Sequence, residues 1–298
     1  MSGPRIIPSG SKFWDASGPQ SLKSPADIQK AYESGWCGAY REPEEHEALL
    51  AENKALTGFS SIDDAASSNG WAESGAGKLS LPFIHVAELF PGCMPGPAQQ
   101  RGDCVSHSCK NAGLGSMCCE VVSGKPDEVT GKVEGLPDVS AEGVAQGVFS
   151  TEAIYWWRGH NGDGWYCSAA ARVMQKSSGL WVRKAYPTLG LDLTKYSKSL
   201  AGKWGSRPPT GEIAEQGTMN LVRAFAESKS REARRDAIAN GYFGNTCGME
   251  GFSNSRDENG VSSRRGQWAH AMAAIGYDDR SIVKQKYGDS LELTLNSW

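Results

Sequence analysis

The sequence predicts an α+β fold of two lobes, a helical lobe followed by an antiparallel β-sheet lobe, behind an N-terminal extension. Three observations predict it. Helix signals gather between residues 104 and 241, and period-2 strand patterns gather after residue 265. A Gly- and Ser-rich stretch over residues 67–80 separates both from the start of the chain. A length of 298 residues suffices for one large domain plus an extension.

In the extension, residues 1–80, Ser24-Pro25-Ala26-Asp27 is a helix start, with Ser as N-cap and Pro in the first helical position. That helix ends near Gly35. A second, acidic helix begins near Pro43 and runs through "EEHEALLAEN". The stretch "SSNGWAESGAGKLS" then reads as a linker. From Leu81 to Trp298 the chain is denser and forms the main domain. A helix follows Cys104, and another covers Ser168 to Ser178 and stops at Gly179. Two more are "MNLVRAFAES" and "SREARRDAIAN", the second closed by Gly241; its arginines form a solvated face. Three strands follow, "HAMAAIGY", "SIVKQKY" and "LELTLN", joined by turn-like "DDR" and "GDS". In the last strand Leu291, Leu293 and Leu295 alternate with Glu292, Thr294 and Asn296, the pattern of one buried face. Tyr155, Trp156 and Trp157 are expected in the core between the lobes.

Composition narrows the function classes. The balance of 31 Lys+Arg against 34 Asp+Glu offers no electrostatic grip on nucleic acid or an anionic membrane. No apolar run approaches the roughly 18 residues of a membrane span, and the start "MSGPRIIPSGSKFWDASG" lacks the apolar core of a signal peptide. A cytoplasmic or virion-associated protein is expected. Its 8 cysteines are too few for a disulfide scaffold and are expected as buried thiols in a reducing compartment, one of them reactive. His107, Cys109, Cys118 and Cys119 lie near Cys104, but Cys-x2-His-x-Cys is not a zinc spacing and reads as a helix face. No metal or cofactor is expected.

The chemistry gathers in three segments: "QQRGDCVSHS", "WAHAMAAIGYDD" and the terminal "NSW". They supply Cys104, His270 and Asn296 in that order. A thiol nucleophile needs such a set, because an imidazole and a helix N-terminus both favour the thiolate. An amide oxygen then orients the imidazole.

This order and wording resemble the papain-like cysteine peptidases, as does "GHNGDGWYCSAAARVMQKSSGLWVRKAYP" over residues 159–187. The resemblance covers Leu81 to Trp298. It implies a papain-like two-lobed fold with the site in the cleft between the lobes. Cys104 would be the nucleophile, His270 the general base and acid, and Asn296 the orienter of His270. Trp298 would shield the Asn296–His270 bond. Gln99 or Gln100 would supply the oxyanion amide, although the family places that Gln six residues before its Cys, and Ala98 stands there. Gly162 and Gly164 would line the substrate cleft, where a peptide or protein substrate adds as a strand. Two family positions that form a disulfide are Arg101 and His160 here. Asp103 stands directly before the nucleophile, where a carboxylate opposes thiolate formation. The family continues beyond Asn-Ser-Trp, so a shortened or processed chain is expected. The implied activity is peptide-bond hydrolysis through an acyl-enzyme. Two other readings use the same residues: a non-catalytic module of a larger assembly such as a phage particle, docked through residues 1–80, and a cell-wall amidase or endopeptidase.

Overall fold

A computed structural model describes residues 5–8, 51, 54–55, 61–124, 135–156, 158, 163–165, 167–218, 221–222, 225–228 and 230–297. The helices expected at Ser24 and Pro43, and the residues Trp157, His160, Gly162 and Trp298, lie outside this set, apart from a few positions at the end of the second helix. Among the described residues the strands are β1 (Arg5–Pro8), β2 (Leu79–Ser80), β3 (Ala185–Tyr186), β4 (Leu191–Asp192), β5 (Gly244–Arg256), β6 (Ser262–Asp278) and β7 (Leu291–Leu295). The helices are α1 (Ile62–Ser68), α2 (Phe83–Leu89), α3 (Cys104–Ser123), α4 (Ala141–Ala145), α5 (Thr151–Ile154), α6 (Cys167–Lys176), α7 (Lys198–Ser206), α8 (Glu212–Gly217), α9 (Arg231–Ala239) and α10 (Ser281–Tyr287). Helix and antiparallel sheet are mixed, consistent with the α+β class that the sequence predicts, but the order differs: β1 and β2 join the sheet from the first 80 residues, and α10 lies between β6 and β7.

The sheet is organised on β6. Its long antiparallel ladder with β5 runs from Gly244↔Ala274 to Arg256↔Ser262. On its other edge β7 pairs from Ala273↔Leu295 to Asp278↔Leu291. The short β2 adds at Leu79↔Asp278, and β1 covers the outer edge of β7. All five residues of β7 are therefore buried, where alternation alone predicts one buried face. Its polar members are matched: Glu292 pairs with Arg234 at 2.7 Å and accepts from Thr246 Oγ1 at 2.8 Å.

Helix α3 packs on β5 and β6 and against α2, α5 and α6. Every residue from Cys104 to Asn111 is buried, so its first two turns have no solvent face. Small residues permit this. Gly113 lies against Leu180, and a Cβ on Gly115 would overlap the Phe243 ring. The helix stops at Gly124, whose φ of 60° and N–H to Glu120 O form a left-handed cap. Tyr155 and Trp156 are fully buried, the latter among Trp181 and Trp204.

Four expectations need correction. "SIVKQKY" is helix α10, not a strand. Its β-branched pair misleads, because Ile282 is 67% exposed and Val283 is the one buried residue of the seven. The described part of "MNLVRAFAES" is not helical. Val222 N–H goes to Met174 O, and Glu227 O accepts from Ile62 N–H, so its backbone bonds leave for other elements. Residues 67–80 are docked rather than loose: Glu73 and Gly75 N–H donate to Asp236, Gly77 N–H donates to Asp279, and Trp71 stacks on Tyr242. Arg235 is not on a solvated face. It is buried and paired with Asp236 at 2.8 Å.

The cysteines also depart from expectation. Cys167 at the start of α6 and Cys247 on β5 form a disulfide across 80 residues, with Cα atoms 6.6 Å apart. It ties the helical part to the sheet. Among the described residues Cys93, Cys104, Cys109, Cys118 and Cys119 are buried and take part in no disulfide. Replacing Cys167 and Cys247 together by Ser should cost about 4 kcal/mol by loop entropy, measured by denaturant unfolding against the oxidised protein. Gly115→Val should cost about 1–3 kcal/mol through overpacking against Phe243, read as a lowered Tm with unchanged helix content.

Candidate active site

The site is assembled from three loops and one strand. Cys104 is the first residue of α3 and is buried at 6% exposure. It occupies the turn where helix N–H groups lack intrahelical partners and the dipole is positive. Cys104 and Ala271 belong to one core cluster, with Val105, Ile154, Tyr155 and Trp165. That cluster sets the first turn of α3 against the part of β6 that carries His270. His270 pairs across the sheet with Gly248 and is buried. Asn296 follows β7, and its Oδ1 lies 2.8 Å from His270 Nε2. With Nε2–H donating to that oxygen, Nδ1 is the ring nitrogen left for proton traffic.

The loop before Cys104 is pinned from three sides. Gln99 N–H donates to Ser297 O at 2.7 Å, and Ser297 Oγ donates to Gln99 Oε1 at 2.6 Å. The half-buried Gln99 is thereby held by the same segment that carries Asn296. Its amide also donates to Arg101 O at 3.0 Å, which engages one of the two N–H bonds of that NH2 group. Gln100 is exposed. Gly102 O accepts from Gly164 N–H at 2.8 Å and from Tyr155 Oη at 3.1 Å. A Cβ on Gly102 would press on Asp163 Cβ at 2.7 Å, so only Gly allows this approach.

Gly164 is buried with a φ of 86°, in the left-handed region that glycine tolerates. Its N–H is taken by Gly102, and its carbonyl faces Arg158 Nη1 at 3.5 Å. The expected strand addition therefore has no free N–H at Gly164: this residue braces the Cys104 loop. Where the resemblance leads one to look for a disulfide, Arg101 makes an ion pair and two hydrogen bonds with Asp163. Charge and a backbone bond join the two loops there. The Arg158 guanidinium sits 4.3 Å from the Tyr155 ring centre, which packs the opposite side of this brace.

Sequence reasoning missed several parts. Tyr196 Oη donates to Asp103 Oδ2 at 2.7 Å, from 93 residues away. Glu152 and Arg183 form a fully buried pair at 2.9 Å, and Glu152 also accepts from Ser150 Oγ and Ser197 N–H. Burial pushes the Asp103 carboxyl up to about 7. Burial also pulls the ammonium of Lys110 down to about 7, with Arg183 adding to the effect. Cys109 and Cys118 are each pushed up to about 12 by burial, which makes them inert thiols. Only Ser297, lodged between Asn296 and Trp298, carried a local signal. The partners of Asp103 and Glu152 have none.

Compared with known protein families, the sequence matches no family, and no curated protein matches it. Among solved structures the fold is similar to the crystal structure of xylellain, a cysteine protease from Xylella fastidiosa. The TM-score is 0.40 and the identity 12%, over 91% of this chain and 84% of that one. So loose a likeness carries no argument about the activity of this chain.

The His270–Asn296 geometry makes one prediction. In nitrogen NMR of the imidazoles, His270 should show the Nε2-protonated tautomer. Asn296→Ala should convert it to a mixture and lower the melting temperature, because a buried ring N–H loses its acceptor at a cost of about 1–3 kcal/mol.

Proposed function

We propose that this chain is a papain-like cysteine peptidase that hydrolyses peptide bonds. The observation that carries the reading is the buried His270 Nε2–Asn296 Oδ1 contact of 2.8 Å. It is supported by Cys104 at the first position of a 20-residue helix packed on the same strand.

In this reading His270 takes the Cys104 proton, and the thiolate attacks the substrate carbonyl carbon. A C–S bond forms, and the carbonyl π electrons move to oxygen. The Cys104 backbone N–H and the Gln99 amide, with exposed Gln100 as the other amide in reach of the loop, stabilise that oxyanion. His270 then gives its proton to the leaving amine as the C–N bond breaks. Water, deprotonated by His270, hydrolyses the thioester and restores the thiol. The chain's residues supply every proton transfer, and no cofactor enters a step. Gly162 and Gly164 remain the proposed cleft edge, Gly164 by bracing rather than pairing. Trp298 is proposed to shield the Asn296 bond, and residues 1–80 to act as a propeptide-like or docking segment.

An epoxide or vinyl-sulfone probe should label Cys104 in preference to Cys93, Cys109, Cys118 and Cys119 at neutral pH. His270→Ala should reduce that labelling at least about 100-fold, the usual scale of a lost general base. Casein should be cleaved, and purified peptidoglycan left intact. Equal labelling of several thiols, unchanged in the variant, would point to the non-catalytic module. Cleavage of peptidoglycan but not casein would point to the cell-wall enzyme.

A further inference from the structure

Directly before Cys104 stands a buried carboxyl group. Asp103 is fully buried, and its side chain does not cap the helix it precedes. Oδ2 accepts from Tyr196 Oη at 2.7 Å. Among the described residues Oδ1 has no hydrogen-bond partner, yet it lies 3.7 Å from His107 Nε2, one turn along α3. That nitrogen is buried and has no partner among them either. The imidazole is held edge-on to the Tyr196 ring, with ring centres 5.3 Å apart.

Two buried polar atoms without partners among the described residues, 3.7 Å apart, call for a single proton between them. A shift of about 1 Å brings them to hydrogen-bond length. The surrounding charges decide which atom owns the proton. Burial opposes charge on both groups. Around Asp103, Glu152 further opposes ionisation, against the Tyr196 bond and Arg101, and the carboxyl lies at about 7. Around His107, burial, Lys110, Arg183 and His270 all oppose an imidazolium and hold it well below the ordinary histidine range. The carboxyl is the better home for the proton.

We propose that Asp103 is held as a neutral carboxylic acid, its Oδ1–H directed at His107 Nε2, so that no negative charge stands behind Cys104 when the thiolate forms. This rests on the reading of Cys104 as the nucleophile. Asp103 is a positioning residue: its ionisation releases a proton to solvent and sets a carboxylate on the residue next to Cys104 in the chain. The reactivity of Cys104 is thereby limited on the alkaline side by its own neighbour.

Two measurements on the full chain test this. Infrared spectra of protein with carbon-13-labelled Asp should show a protonated-carboxyl band near pH 5 that fades through about pH 7 and is absent in Asp103→Asn. Absence of that band in the native protein overturns the proposal, whether or not the variant folds. The second readout is the iodoacetamide rate at Cys104, quantified by peptide mass spectrometry. Asp103→Asn should match the native rate near pH 5 and exceed it roughly tenfold near pH 8, one pK unit of charge repulsion. An excess of equal size at both pH values would mean a carboxylate charged throughout. Identical rates at both would mean that Asp103 does not act on Cys104. Either result overturns the proposal. Neither readout needs substrate, so failure to cleave casein would sink the peptidase reading separately.

Discussion

The burial of helix α3 governs the rest of the structure. Its first two turns read Cys-Val-Ser-His-Ser-Cys-Lys-Asn, and all eight residues are buried. A helix buried all round is ordinarily apolar, and this one is not. Close packing against this helix is allowed by small side chains, at Gly113 under Leu180 and at Gly115 under Phe243, the residue before β5. An unmatched buried polar group costs about 1–3 kcal/mol; Ser106 Oγ, His107 Nε2 and Asn111 Oδ1 have no partner among the described residues, while others are matched. Ser108 donates to Asn245 on β5, and the Asn245 amide reaches Cys109 Sγ at 2.9 Å. Asp103 takes Tyr196.

The same demand explains how the nucleophile loop is fixed. Gly102 O collects two donors, Gly164 N–H and Tyr155 Oη, and Arg101 reaches across to Asp163. Ser297 and Gln99 exchange two hydrogen bonds. These links connect the loop to the α5 region, to the segment before α6 and to the end of β7. Position at Cys104 is thus set by several distant segments at once. The Cys167–Cys247 disulfide reinforces this arrangement, since Cys247 pairs across β6 with Ala271, the neighbour of His270.

Charge inside this core is handled in two ways. Glu152 and Arg183 remain an ion pair because three further hydrogen bonds surround the carboxylate, the condition under which a buried pair holds. Among the described residues no Lys or Arg pairs with Asp103, so burial outweighs the Tyr196 bond and the more distant Arg101 and favours the neutral acid.

The sequence alone determined the α+β class, several of the elements and the candidate residues of the site. Cys104 at a helix start, His270 in an alternating strand and Asn296 after another could be read from local pattern, since capping, periodicity and motif wording are local. The α3, α6, α9, β6 and β7 elements were legible for the same reason. Helix α10 was not, because Ile282 and Val283 look like a strand until exposure is known. Nor were the docking of residues 67–80, the Gly164 brace, the Cys167–Cys247 pairing or the Tyr196–Asp103 bond. Each joins residues dozens to hundreds of positions apart, through contacts that only the folded chain creates. Tertiary structure also decided the state of Asp103, because the ionisation of a carboxyl depends on which side chains exclude water from it, and sequence proximity to Cys104 does not specify them.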